Sequence, residues 1–245
     1  MLFLNFSSDG WVSRPRTTIQ ENTGGVYGWW GVDFSYSSNG ERLAYARSEE
    51  IGLVDINNET LFPLINFIPL QTRSDWAWLP EISWSPDGNY IYFVYHSPQE
   101  GLSSSEESPL FDLAVFPLGG MPVSLIPEVG MFAYPLPSPI RQLPNGEKSY
   151  QVAYLQALLP TQSRTSGYQL MLVDRDGSNP ALVFPPIGKP GLSPHRYLWA
   201  PEMGEGGVYP LIALIYDGDL WLIDVDTGSA QQLTGDGLIT TIDWK

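Results

Sequence analysis

The sequence predicts an all-β chain folded as a β-propeller, on three observations. First, an aromatic residue returns in a similar short frame at Phe34, Trp84, Tyr134, Trp199 and Trp244, at steps of 50, 50, 65 and 45 residues. A unit of about 40 to 50 residues is the period of propeller and stacked-repeat folds. Second, each unit holds four strand-like runs separated by turn residues, the makeup of a propeller blade. Third, 24 Gly and 22 Pro among 245 residues favour tight turns over long helices, and a 13% aromatic content suits strands. A β-sandwich would share the short strands, but not one four-strand phrase at a fixed long period.

The units are taken as four complete blades over residues 32–67, 82–127, 131–186 and 196–234. The first reads VDFSYS, a turn at Ser38-Asn39-Gly40, RLAYAR, IGLVDI, a turn at Asn57-Asn58, TLFPLI. The second is clearest: ISWSP, Asp87-Gly88, YIYFVYH, a polar insertion at 99–108, DLAVFPL, Gly119-Gly120, PVSLIP. Glycine suits these turns because it tolerates positive φ. The third reads FAYPL, a turn at Pro144-Asn145-Gly146, YQVAYLQAL, YQLMLVD, Asp176-Gly177, ALVFP. The fourth reads YLWAP, a loop with Gly204, Gly206 and Gly207, YPLIALIY, Asp217-Gly218, DLWLIDV, Thr227-Gly228, AQQLT. Runs such as LIALIY are apolar almost throughout, as in strands covered on both faces. The only helical candidates are short turns around Pro137–Gln142 and Ser103–Glu107.

The ends carry pieces of a fifth unit. Residues 2–17 match a third and fourth strand, and TTIDWK matches a first strand. The expectation is one propeller domain over 1–245 with a partial fifth blade shared between 1–17 and 239–245. Either that blade is defective or the chain is a fragment of a longer propeller, and the fragment is favoured.

Charge and residue inventory narrow the function classes. Twelve basic against 27 acidic residues give a net charge of −15, which repels nucleic acid and anionic lipid. There is no cysteine, hence no disulfide, thiolate catalysis or Cys-ligated zinc. No run of 18 apolar residues could span a membrane as a helix, and residues 1–11 lack the basic start of a signal peptide. His96 reads as structural. His195 sits in a loop before a first strand, and zinc would need a third ligand beside these two distant histidines. No G-x-S-x-G elbow supports a serine hydrolase. The pairs Glu49-Glu50, Glu106-Glu107 and Glu202 with Glu205 are sequence neighbours, whereas glycosidase chemistry needs carboxyls facing each other across a substrate. DRDGSN at 174–179 has the start of a calcium loop without its distant Glu, and a hairpin turn explains it more simply. No catalytic residue, metal or cofactor is expected.

What remains is topological. In a blade, loops from fourth strand to next first strand share one end with loops from second to third strand. That end would gather Trp29, Trp30, Arg73, Trp76, Trp78, Lys189, His195 and Arg196, with Arg47, Glu49, Arg164 and Tyr168. Trp, Tyr and Arg are enriched at binding hot spots. Trp29, Trp30, Arg73, Trp76, Trp78, Tyr168, His195 and Arg196 are therefore candidate partner-binding residues. The competing reading is that the tryptophans cap the blade ends as core.

ISWSPDGNYIYFVY resembles the TolB-like propeller repeat, aromatic-Ser-Pro-Asp-Gly followed by an apolar strand. LMLVDRDGSNPALVF and LWLIDVDTGSAQQLT resemble its other half. The other units lack the full Ser-Pro-Asp-Gly. The resemblance implies a non-enzymatic platform outside the cytoplasm that holds a protein or peptide at one end of the ring. The alternative it implies is the accessory, gating propeller of a larger prolyl-oligopeptidase-like hydrolase.

Overall fold

The computed structural model describes residues 2–7, 10–15, 32–55, 58, 60–142, 146–201 and 210–244, with backbone pairing alone for 2–7 and 10–15. Its strands form four four-stranded antiparallel sheets and two two-stranded ones. β1 (Leu2–Ser7) pairs with β2 (Gly10–Pro15). The first four-stranded sheet contains β3 (Asp33–Tyr36), β4 (Leu43–Ala46), β5 (Glu50–Asp55) and β6 (Thr60–Asn66). The second contains β7 (Ile82–Trp84), β8 (Tyr90–Ser97), β9 (Leu110–Pro117) and β10 (Val123–Ile126). β11 (Leu136–Pro137) opens the third, and a minor ladder of β12 (Arg141–Gln142) and β13 (Lys148–Ser149) interrupts it. β14 (Gln151–Ala157), β15 (Tyr168–Asp174) and β16 (Ala181–Phe184) complete it. The fourth contains β17 (Leu198–Trp199), β18 (Leu211–Tyr216), β19 (Asp219–Asp224) and β20 (Ala230–Gln232). Each runs up and down in chain order, the strand makeup of a blade.

Apolar side chains on both faces hold the sheets together. Along β8, Ile91 and Phe93 pack with Ala44, Ala46 and Ile51 of the first sheet. Tyr92 and Val94 point the other way, to Val152, Tyr154 and Val173 of the third. β14 repeats this, with Ala153 and Leu155 meeting Ile212, Leu214 and Trp199 of the fourth sheet. Successive side chains of a strand face opposite ways, so a nearly unbroken apolar strand can serve two interfaces. Fully burying one such Val, Leu or Ile stabilises by about 1.5–3 kcal/mol.

The turns give the repeat its true phase. Ser37 N–H donates to Arg42 O, Ser85 N–H to Tyr90 O, Ser138 N–H to Gln151 O and Ala200 N–H to Leu211 O. The residues before these are Tyr36, Trp84, Pro137 and Trp199, so Phe34 and Tyr134 are not the equivalents of Trp84. In the first unit the frame holds two aromatics, Phe34 and Tyr36, and the second is the equivalent; in the third unit the position is filled by Pro137, so no aromatic marks it. The tryptophans at this position couple sheets: Trp84 Nε1 donates to Ser35 O and Trp199 Nε1 to Leu136 O, both at 2.9 Å.

Two expectations need correction. Residues 239–244 form no strand, and among the described residues β1 and β2 pair only with each other, so the shared fifth blade is not formed there. The Ile239 amide instead donates to Gly218 O. Pro137–Gln142 is not helical but lies across β11 and β12, because Ser138 Oγ accepts the Gln151 amide and keeps the segment extended. Single 3-10 turns occur at Ser105–Glu107, as expected, and at Pro160–Gln162.

Candidate functional site

The connections between consecutive sheets and the β8–β9 and β14–β15 loops come together at one end. Gln71 N–H donates to Glu106 O, Arg73 pairs with Glu107, and the Arg164 guanidinium lies 5.1 Å from the centre of the Trp76 ring. Between them opens a cleft of about 210 Å³. Leu70, Phe111 and Met131 lie on its apolar side, and Thr161, Gln162, Arg164 and the Arg73-paired Glu107 on its polar side. Trp76 is half-buried, with its carbonyl accepting from Thr72 Oγ1 at 2.5 Å.

The candidate residues separate by depth. Trp78 is 4% exposed, donates Nε1–H to Met131 O at 2.9 Å and meets Phe111 edge-on at 4.8 Å, so it is core beneath the cleft. Tyr168 is fully buried, and its hydroxyl donates to Ser163 O at 2.7 Å. Burial pushes that hydroxyl's pKa up to about 12, so it stays a donor. It fixes the residue next to Arg164 instead of offering a surface. Arg73 is 70% exposed on the rim. His195 is exposed on a different hollow of about 270 Å³, lined by Ser193, Asp217 and Ile239. Trp29 and Trp30 lie outside the described residues, as do Glu202 and Glu205.

Arg196 belongs to a second cluster, which the corrected phase makes visible. Asp33, Glu81, Tyr134 and Arg196 each stand three residues before the position of Tyr36, Trp84, Pro137 and Trp199. Arg196 Nη2 reaches both Glu81 carboxylate oxygens, at 3.0 and 2.9 Å, and lies 3.8 Å from Asp33. One guanidinium thus ties the starts of the first strands of three sheets. Burial holds the Glu81 carboxyl above the usual carboxylate range despite Arg196, and the Glu81 charge holds the Arg196 proton more firmly.

His96 is buried and structural. Its Nδ1 lies 2.9 Å from Ile68 O and its Nε2 2.7 Å from Ser108 O, joining the two loops that lead into the cleft. The DRDGSN carboxylates accept from their own hairpin: Asp176 from Ser178 N and Oγ, Asp174 from Asn179 Nδ2. Among the described residues, no three His, Cys, Asp or Glu side chains gather as a metal would require. No helix there is long and apolar enough to cross a membrane.

No family model matches the sequence, and no curated protein matches it. Among solved structures, the chain is similar to a candidate TolB from Agrobacterium tumefaciens, with TM-score 0.46, 15% identity, and coverage of 82% of this chain and 63% of that one. It is also similar to a puromycin hydrolase variant complexed with PGG, with TM-score 0.48, 15% identity, and coverage of 96% and 35%. A prolyl endopeptidase gives TM-score 0.36, 11% identity, and coverage of 84% and 36%. The chain spans less than two thirds of the length of each. The fold described above rests on the chain's own sheet order and register.

Proposed function

We propose that the chain is a non-enzymatic β-propeller platform that holds a protein or peptide in the cleft at its loop end. The observation that carries this reading is the meeting of half-buried Trp76 with Arg164 over Leu70, Phe111 and Met131. An aromatic and an arginine over an apolar floor, ringed by polar side chains, is the composition of an interface hot spot. The compartment we assign is extracytoplasmic, as the resemblance to TolB-like repeats implies. The single-domain propeller reading draws on the face-to-face packing of all four sheets.

A second reading, the gating propeller of a larger hydrolase, draws on the Arg196 bridge across the first strands of three sheets. The two readings place the working part at different residues. Selection of random peptides against the immobilised chain tests the first. The binders it yields should lose at least about tenfold in affinity on Trp76→Ala, while Arg196→Ala leaves them unchanged. Binders indifferent to Trp76 would overturn the assignment of the cleft.

A further inference from the structure

We infer that the cleft selects a carboxylate side chain, with Arg164 as the group that receives it; this rests on the platform reading. Among the described arginines, Arg47, Arg73, Arg141 and Arg196 each pair with a carboxylate of the chain itself. Arg42 and Arg175 sit on the hairpins of first and third strands, at the other end of their sheets. Arg164 is at the loop end and makes no ion pair among the described residues. Among the described residues it lies over the face of Trp76. At the loop end, where Arg47, Arg73 and Arg196 all face carboxylates, a guanidinium held in place without one sets Arg164 apart among the described residues.

The ring contact leaves the chemistry available. A guanidinium lying on a ring uses its π-face and keeps its in-plane N–H donors free. Those donors match the two oxygens of one carboxylate. The backbone beneath is fixed, since buried Ser163 is held through its carbonyl by Tyr168 and the Leu159 amide is bound by Ser166 Oγ. Tyr168 is therefore a positioning residue. Beside the guanidinium, Leu70, Phe111 and Met131 offer an apolar floor within a hollow of about 210 Å³, room for a small apolar group. The occupant that fits both parts is a peptide segment with Asp or Glu beside an apolar residue. Arg73 does not compete, because Glu107 already neutralises it.

The test is an array of end-capped peptides probed with the full chain, followed by titration of the best binders. The expected result is enrichment for Asp or Glu beside an apolar residue. Changing that acid to its amide, or Arg164→Gln in the protein, should each weaken binding about tenfold or more. Both changes together should cost little more than either alone. Arg141→Gln, on the Asp226 pair, should leave binding unchanged, and the melting temperature of Arg164→Gln should stay near that of the parent. Binders that show no acid preference but need Trp76 would overturn the carboxylate site and leave the platform. Binders that need a free C-terminus instead would also overturn it. No binder at all would overturn both.

Discussion

Trp76 and Trp78 stand two residues apart in one loop and take opposite parts. Trp78 spends its N–H on Met131 O inside the core, while Trp76 keeps a ring face for Arg164. Trp78→Ala should cost about 3–5 kcal/mol, from the lost ring and an orphaned carbonyl. For a chain of this size that lowers the melting temperature by roughly 10 °C or more. Trp76→Ala should cost a fraction of that. Calorimetry of the two variants separates them, and equal losses would mean that both are core. The sequence presents them as WAW and offers no way to choose, because their depth is set by where residues 127–135 cross beneath. His96 was legible as structural for a plainer reason: it ends an apolar run. Its two carbonyl partners, 28 and 12 residues away, were not.

At the scale of the element, the first hairpin of the first two four-stranded sheets is where local sequence dictates structure. Ser85 Oγ accepts the Asn89 and Tyr90 amides and donates to Asp87 Oδ1, and Gly88 takes φ +69° to close the turn. Ser37, Asn39 and Gly40 rebuild the same turn with φ +71° at Gly40. Burial pushes the Asp87 carboxyl up, but the Ser85 hydroxyl and the Asn89 amide outweigh it and hold it below the usual carboxylate range. A depressed folded value means that this carboxylate stabilises above its unfolded pKa and that the contribution is lost as pH falls through the folded one. Asp87→Asn should therefore lower stability at pH 7, by less than about 1 kcal/mol at this exposed turn. The gap to the parent should close as pH falls through the depressed folded value. A gap that persists in acid would show that packing, not charge, is responsible. Strands were legible in all four four-stranded sheets, and this turn in the first two; the first-hairpin turns expected in the other two, at 144–146 and 204–207, lie wholly or partly outside the described residues. The phase was not legible, since Phe34 and Tyr36 both fit an aromatic template, and only the Ser37–Arg42 bond chooses between them.

Over the whole molecule, four sheets pack face to face, and Arg196 gathers the first strands of three of them. Arg196→Ala leaves Glu81 and Asp33 without their cation. The side chain of Arg196 is 68% exposed, so the cost should stay below about 1 kcal/mol. Its pH dependence is more telling. Burial already raises the Glu81 carboxyl, and loss of Arg196 raises it further. A raised folded value makes the native state hold the proton more tightly. The variant's deficit should thus be small near pH 4 and grow as pH climbs through the raised value. A deficit independent of pH would contradict the bridge. This cluster was hidden in the sequence because its members lie up to 163 residues apart and share only their position in the corrected repeat. The strand expected at 239–244 is missing at the same scale: that segment joins no sheet among the described residues.

The central claim is that ligands enter at the end where the sheet-to-sheet connections meet, on Trp76 and Arg164. Hydrogen–deuterium exchange of the full chain, with and without a peptide selected on it, tests this most directly. The account predicts slowed exchange at residues 70–76, 107–111 and 159–166, with the first-strand hairpins at 37–42 and 85–90 unchanged. Protection confined to those hairpins, or to the Asp33, Glu81 and Arg196 cluster, would contradict it.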